Sequence, residues 1–356
     1  MLGHRSSDEE ETGAWKSMFD AEDYLESRVF PPLHKVVLKI SSNVSLRHIL
    51  QLGVSNIDAQ DAEGSTALTW AAARGDATAV SELLDFGANI NVRNMQKQTP
   101  LHLAAQCRHS GAIAVMQLLV KAGAELDAPD AWGRTPLLYA AAEYKLDDPR
   151  YLTPLLEHEV GRASVNVPDC RSRTPLGYAA QRGRLKTIQR LLEEGADSTM
   201  PDNWGYTPVI ESFVAGHHEC LETLLEFHSR SGIPAQVRDG KPIPIIGSRT
   251  VLHLLAQYGK ETTILLIERH VTDFCPRALD PAALSGEGMT ADQIFRTRVD
   301  VDDGTKRAWI HLMETLDRRS LPKRIALGQA VLNESDSEQE VFEDAKESFS
   351  ETSENE

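Results

Sequence analysis

Positive charge is scarce in this sequence: 37 Lys and Arg face 53 Asp and Glu over 356 residues, a formal charge of −16. Phosphate binding needs a local excess of lysine and arginine, and no continuous basic patch interleaved with aromatics is present, so no nucleic-acid partner is expected. Cysteine is sparse as well. Cys107, Cys170, Cys220 and Cys275 lie far apart, which fits free thiols in a reducing compartment, cytosol or nucleus. Aromatics make up only 6% of the chain, so its core is built from smaller apolar side chains. No apolar run approaches the roughly 18 residues of a membrane helix, and Met1 to Glu11 has no signal-peptide core, so no membrane partner is expected. Patterns of nucleotide-binding and nucleophile loops (GxGxxG, Walker, GxSxG) are missing too, and neither enzyme activity nor a cofactor is expected.

What the sequence does have is repetition. A threonine opens the same short phrase at Thr66, Thr99, Thr135, Thr174, Thr207, Thr250 and Thr290, with intervals of 33, 36, 39, 33, 43 and 40 residues. The clearest copies are Thr99-Pro100-Leu101-His102-Leu103-Ala104-Ala105 and Thr250-Val251-Leu252-His253-Leu254-Leu255-Ala256. Threonine before proline is a helix start: the hydroxyl accepts from a free N–H, and proline at the first helical position loses no needed donor. Alanine pairs such as Ala71-Ala72 and Ala179-Ala180 allow close packing, and glycines such as Gly75, Gly183 and Gly216 turn the chain. A second apolar periodicity follows, as in Ile188, Leu191 and Leu192, before a C-terminal glycine such as Gly87, Gly123 or Gly195.

That period with that phrase resembles the ankyrin repeat. The resemblance implies an all-α solenoid of helix-turn-helix units with hairpin fingers, about seven to eight units over residues 30–315 including degenerate caps. It also implies that His34, His102 and His253 hydrogen-bond across adjacent hairpins. A Pro/Gly-containing insert at 229–247 interrupts the array, and is expected to project and to be cut early by proteases.

Charge is concentrated at the ends. Residues 1–29 hold eight acids and three bases, and residues 334–356 hold ten acids and one lysine. Both ends are too poor in apolar residues to offset ordering entropy, so 1–29 reads as an acidic flexible arm and 316–356 as a linker with an acidic, serine-rich disordered tail. Ser335, Ser337, Ser348 and Ser353 each have an acid three residues downstream, a pattern for acid-directed phosphorylation; the plain alternative is a solvating tail.

His217-His218-Glu219-Cys220 is the one dense run of potential metal ligands. Its thiol lies on a different helical face from His218 and no second ligand pair follows, so no metal site is expected. Binding is the class that remains. In the resembling fold, finger tips and first-helix ends line one concave side, which places Trp132 and Arg134, Arg171 and Arg173, Trp204 and Tyr206 on three consecutive fingers, with Arg182 beside them. Tryptophan, tyrosine and arginine dominate binding hot spots; the competing reading folds each tryptophan over its neighbour as packing. The expectation is a monomeric scaffold that binds a protein partner through this face. The alternative is a regulatory subunit whose acidic arms occupy a basic site.

Overall fold

Threonine in an extended conformation followed by a residue that favours helix fixes where each first helix begins. In the computed structural model, which describes residues 30–39, 45–53, 56–142, 147–235, 237–238, 241–242, 245 and 248–319, the first helices run Ala67–Ala73, Pro100–Gln106, Pro136–Ala142, Pro175–Gln181 and Pro208–Val214. Each starts immediately after Thr66, Thr99, Thr135, Thr174 or Thr207. The hydroxyls of Thr66, Thr135 and Thr174 accept from the N–H of Thr69, Leu138 and Gly177 at 3.3, 3.3 and 3.1 Å. We number these repeats 1 to 5, after a capping unit with helices Pro32–Val37 and Leu46–Leu52.

Successive first helices pack side by side, and their alanines explain how. Ala71, Ala72, Ala104, Ala105, Ala140, Ala141, Ala179 and Ala180 are fully buried. Second helices Ala77–Asp85, Ala112–Lys121 and Leu185–Glu193 bury Val80 and Leu83, Met116 and Leu119, Ile188 and Leu191 against them. Repeat 3 departs from this pattern. Its second half is broken into Pro149–Tyr151, Thr153–Leu156 and Glu159–Ala163, because prolines at 149 and 154 restart the chain. Its Asp147 carboxylate instead serves the next repeat, accepting from Lys186 N–H at 2.6 Å and Thr187 N–H at 2.9 Å.

Carbonyls at the end of a first helix need donors, and the following repeat supplies them. Arg74 donates to Leu38 O at 3.0 Å, Arg184 to Ala140 O and Ala141 O at 2.7 Å each, and His217 to Gln181 O at 3.1 Å.

The chain divides into two compact parts, Met1–Thr223 and Leu224–Glu356; the division falls inside helix His218–Ser231, which runs into the start of the insert. The second part holds helices Val251–Tyr258, Glu261–Arg269, Ala291–Arg296 and 303–319. The last of these extends beyond the expected limit at 315 and stacks Trp309 on Phe295, with ring centroids 4.5 Å apart. Arg298 repeats the cap of the first part, donating to Gly259 O at 2.7 Å. The insert contributes a short antiparallel ribbon, Val237–Arg238 with Lys241–Pro242, and isolated bridges pair Ala235 with Phe274 and Ile245 with Arg249, the β-structure among the described residues.

The histidines of the opening phrase connect neighbours. The Nδ1 of His102 accepts from Thr99 N–H at 3.1 Å, which leaves the proton on Nε2 to donate to Arg134 O at 3.0 Å. His253 does the same between Thr250 and Met289, at 3.1 Å on each side. His34 Nε2 reaches Ser65 O at 2.8 Å, but residue 31 is proline, without an N–H, and Nδ1 has no partner. Burial lowers the pKa of all three from 6.5, outweighing the backbone carbonyls that favour the cation. The unfolded chain therefore binds more protons, so this stability is complete above about pH 6.5 and is lost as pH falls toward the folded values. Thermal midpoints are expected to drop between pH 7.5 and 5.5, with a shallower slope in His102→Gln; a flat wild-type profile contradicts this.

Candidate binding face

In repeats 1 to 5 an aspartate or asparagine five residues before the opening threonine builds the finger. Asp61, Asn94, Asp130, Asp169 and Asp202 are all buried. Each Oδ1 accepts from two N–H groups of its own tip: Glu63 and Ser65, Gln96 and Gln98, Trp132 and Arg134, Arg171 and Arg173, Trp204 and Tyr206, all at 2.8 to 3.0 Å. One backbone bond then ties each finger to the next, from Met95 N to Glu63 O, Ala131 N to Gln96 O, Cys170 N to Trp132 O and Asn203 N to Arg171 O, at 2.8 to 3.0 Å.

The tip residue three after the aspartate has positive φ in every finger. Gly64, Gly133 and Gly205 occupy it in three, but Lys97 (φ 59°) and Ser172 (φ 61°) take the left-handed conformation in the others. That conformation costs a residue with a Cβ roughly 1 kcal/mol or more. Lys97→Gly and Ser172→Gly are each expected to raise the unfolding free energy by up to about 1 kcal/mol, the glycine's greater unfolded entropy offsetting part of the gain. Denaturant midpoints check this; a loss of stability in both variants contradicts it.

Aromatic and cationic side chains line the same row. Tyr139 OH donates to Asp130 Oδ2 at 2.6 Å, Tyr178 OH to Asp169 Oδ2 at 2.9 Å and Trp70 Nε1 to Asp61 Oδ2 at 2.9 Å. Burial pushes the Tyr178 phenol up to about 12, so it remains a donor throughout the neutral range. Arg134 lies 3.8 Å from Asp169 and 5.5 Å from the Trp132 ring centroid; Arg173 lies 3.6 Å from Asp202, 3.7 Å from Glu211 and 5.1 Å from the Trp204 centroid.

Of the seven residues singled out in the sequence, six therefore fall on three consecutive fingers. Trp132, Arg171, Trp204 and Tyr206 are half-buried. Arg134 and Arg173 sit deeper, with 14% and 11% of their side chains exposed, and brace the tryptophans and aspartates from below. Arg182 ends helix Pro175–Gln181 and does not belong to a finger. The aspartate row went unrecognised, although five acids or amides at a constant offset from the threonines carry its signal.

His217 of the His-His-Glu-Cys run is engaged with Gln181 O, and Cys220 is buried, which pushes its thiol up to about 12. Among the described residues no three His, Cys, Asp or Glu side chains converge as metal ligands, and no helix is long and apolar enough to cross a membrane. Both acidic ends (1–29 and 320–356), with Ser335, Ser337, Ser348 and Ser353, lie outside the described residues.

Comparison with known proteins follows the same repeats. A family model for ankyrin repeats in three copies matches residues 33–130, 107–202 and 152–239, together more than half of the chain. Ankyrin repeat and KH domain-containing protein mask-1 of Caenorhabditis elegans is 34% identical over 162 residues, covering 45% of this chain and 6% of its own length. B-cell lymphoma 3 protein homolog of Mus musculus is 30% identical over 210 residues, 58% of this chain and 44% of its own. Ankyrin repeat and SOCS box protein 16 of Homo sapiens is 27% identical over 246 residues, 66% and 53%. The chain thus spans about half or less of the length of these curated relatives.

Proposed function

The chain belongs to the ankyrin repeat family, whose repeats mediate protein–protein interaction, and on that premise we propose that it is an adaptor that captures a protein partner on the fingers of repeats 3 to 5. The observation that carries the reading is positional. Trp132, Arg171 and Trp204 occupy the same place in three consecutive fingers, each two residues after the buried aspartate that holds its N–H. Repeats 1 and 2 have Glu63 and Gln96 there. A half-buried tryptophan backed by an arginine offers a large rigid ring at little entropic cost, the property that makes such residues hot spots. Arg171 between the two rings favours a partner with an acidic group at that step. No reaction is required of this surface; complementarity on a pre-organised row suffices.

The reading predicts that Trp132→Ala/Trp204→Ala weakens partner capture by at least about tenfold while helix content is kept, since truncating hot spots costs about 2 kcal/mol or more. Capture from cell extract by the wild type and the double variant, with Phe86→Ala just past helix Ala77–Asp85 as control, measures it. Undiminished capture by the double variant would overturn the assignment of this face.

A further inference from the structure

In a stack of repeats each unit buries the apolar face of its neighbour, so a terminal unit is expected to turn a polar face outward. The last helix, 303–319, does so, exposing Lys306, Arg307, Glu314 and Asp317 around Ile310. The N-terminal capping unit does not. By distance from the closing glycine of each second helix, Ile49 stands where repeats 1, 2 and 4 have Leu83, Leu119 and Leu191. Those three leucines are fully buried, whereas Ile49 is half-buried. Val36 stands where repeats 1 and 2 have the fully buried Ala71 and Ala104, and it too is half-buried. Leu52 is 59% exposed. The described residues thus leave an apolar face uncovered at this end.

Charge singles out the same unit. Lys35, Lys39, Arg47 and His48 are exposed, and no Asp or Glu occurs between Phe30 and Gly53, in a chain of formal charge −16. Residues 15–29, which lie outside the described residues, have the opposite balance: Asp20, Glu22, Asp23 and Glu26 against Lys16 and Arg28. They also hold most of the apolar side chains of the N-terminal arm. Trp15, Met18, Leu25 and Val29 recur at intervals of three, seven and four residues, the spacing of one helical face, with Phe19 beside them. Glu22 and Glu26 share that face, and a carboxylate is covered at low cost only with a cation opposite it. The segment enters the fold at the capping unit itself, because Phe30 is buried with its ring edge-on to Trp70, centroids 5.9 Å apart. At helical rise residues 15–29 span about 22 Å, enough to lie along helix Leu46–Leu52, which is about 10 Å long.

We propose that residues 15–29 are the occupant of this face and close the N-terminal end of the solenoid in the place of a preceding repeat. Their apolar stripe covers Val36 and Ile49, and their acids answer a capping unit that has none. A foreign protein or a second copy would need the same stripe and the same charge. The segment brings both at the high effective concentration of a direct chain connection. The acidic arm expected from composition is thereby divided, and only its first half, residues 1–14, stays unattached. With this end closed, the stack offers no apolar face there to a partner or to another copy.

The test is hydrogen exchange on the full chain, read in helix Leu46–Leu52 of the capping unit and in helix Leu185–Glu193 of repeat 4. Met18→Asp/Leu25→Asp places two charges on the stripe. Ser17→Asp/Ser27→Asp adds the same charge on the opposite side of the helical period and serves as control. The stripe variant is expected to speed exchange in Leu46–Leu52 by about tenfold or more, since covered apolar contacts set local protection, and to leave Leu185–Glu193 unchanged. The control should match the wild type in both helices. Equal exchange in the stripe variant and the wild type overturns the proposal, and so does equal acceleration in both variants, which would be an effect of net charge. Protection of Leu46–Leu52 that rises with protein concentration, together with self-association in sedimentation, would assign the face to a second copy and overturn it as well. Unchanged exchange in Leu185–Glu193 shows that each variant is folded. None of these readouts involves a partner, so the result is independent of the finger reading.

Discussion

Asp169→Ala is expected to lower the unfolding free energy of the first part of the chain by about 3–5 kcal/mol, the range for breaking a buried charged network by removing one partner. Asp169 has a fully buried side chain and accepts from Arg171 N–H, Arg173 N–H and Tyr178 OH, each at 2.9 Å, with Arg134 at 3.8 Å. Its loss leaves two amides and a phenol without their acceptor and a guanidinium without its counter-charge, in surroundings where water does not easily replace them. Asp169→Asn tests the division of labour. Asn94 already fills this place in repeat 2, holding Gln96 and Gln98 N–H through Oδ1 at 3.0 and 2.8 Å. The asparagine variant should therefore keep the two amide bonds of the finger and lose the charge pairing with Arg134 and the acceptor of the Tyr178 O–H, at a cost below that of alanine. Chemical denaturation measures both, and equal losses in the two variants would contradict the geometry.

Arg184→Ala is expected to cost about 3 kcal/mol, since it removes two charge-assisted bonds to carbonyls at the end of a first helix. Arg184 is 3% exposed and reaches from repeat 4 to Ala140 O and Ala141 O of repeat 3 at 2.7 Å each. Both bonds come from one guanidinium nitrogen, Nη1. Hydrogen exchange in helix Pro136–Ala142 should accelerate in Arg184→Ala more than in helix Ala67–Ala73. Uniform acceleration across repeats would mean that the arginine acts only through global stability.

The repeats were legible in the sequence because their cause is local. Threonine, proline, paired alanines and turn glycines each specify a conformation within a few residues, and all recur at one period. The aspartate row was harder to see because its partners are split between the finger tip and the following helix: Asp130 needs Trp132, Arg134 and Tyr139 together. The same separation made Arg134 and Arg173 read as surface charges. The rings that cover them, Tyr139 at 5.9 Å from Arg134 and Tyr178 at 5.6 Å from Arg173, lie on the first helix of the same repeat, while the carboxylates they face, Asp169 and Asp202, belong to the next, so no single repeat contains all three members. In repeat 3 the regular second helix expected from the period gives way at Pro149 and Pro154, where the missing N–H groups outweigh the apolar spacing. His34 shows the opposite case. Pro31 in place of threonine is plain in the sequence, and the unpartnered Nδ1 follows directly from it.

The central claim, that partners dock on the fingers of repeats 3 to 5, can be tested without altering the tryptophans. Cys170 is exposed at the tip of the middle finger, whereas Cys107 and Cys220 are buried and Cys275 is partly so. A photo-reactive label on Cys170, in a Cys275→Ser background, places the reporter beside Trp132, whose carbonyl holds the Cys170 N–H at 2.8 Å. The comparison is the same label at Glu193→Cys, with Cys170 also replaced by serine, on the exposed end of helix Leu185–Glu193. The account predicts that the captured partner cross-links from residue 170 and not from residue 193; cross-linking from 193 with none from 170 would contradict it.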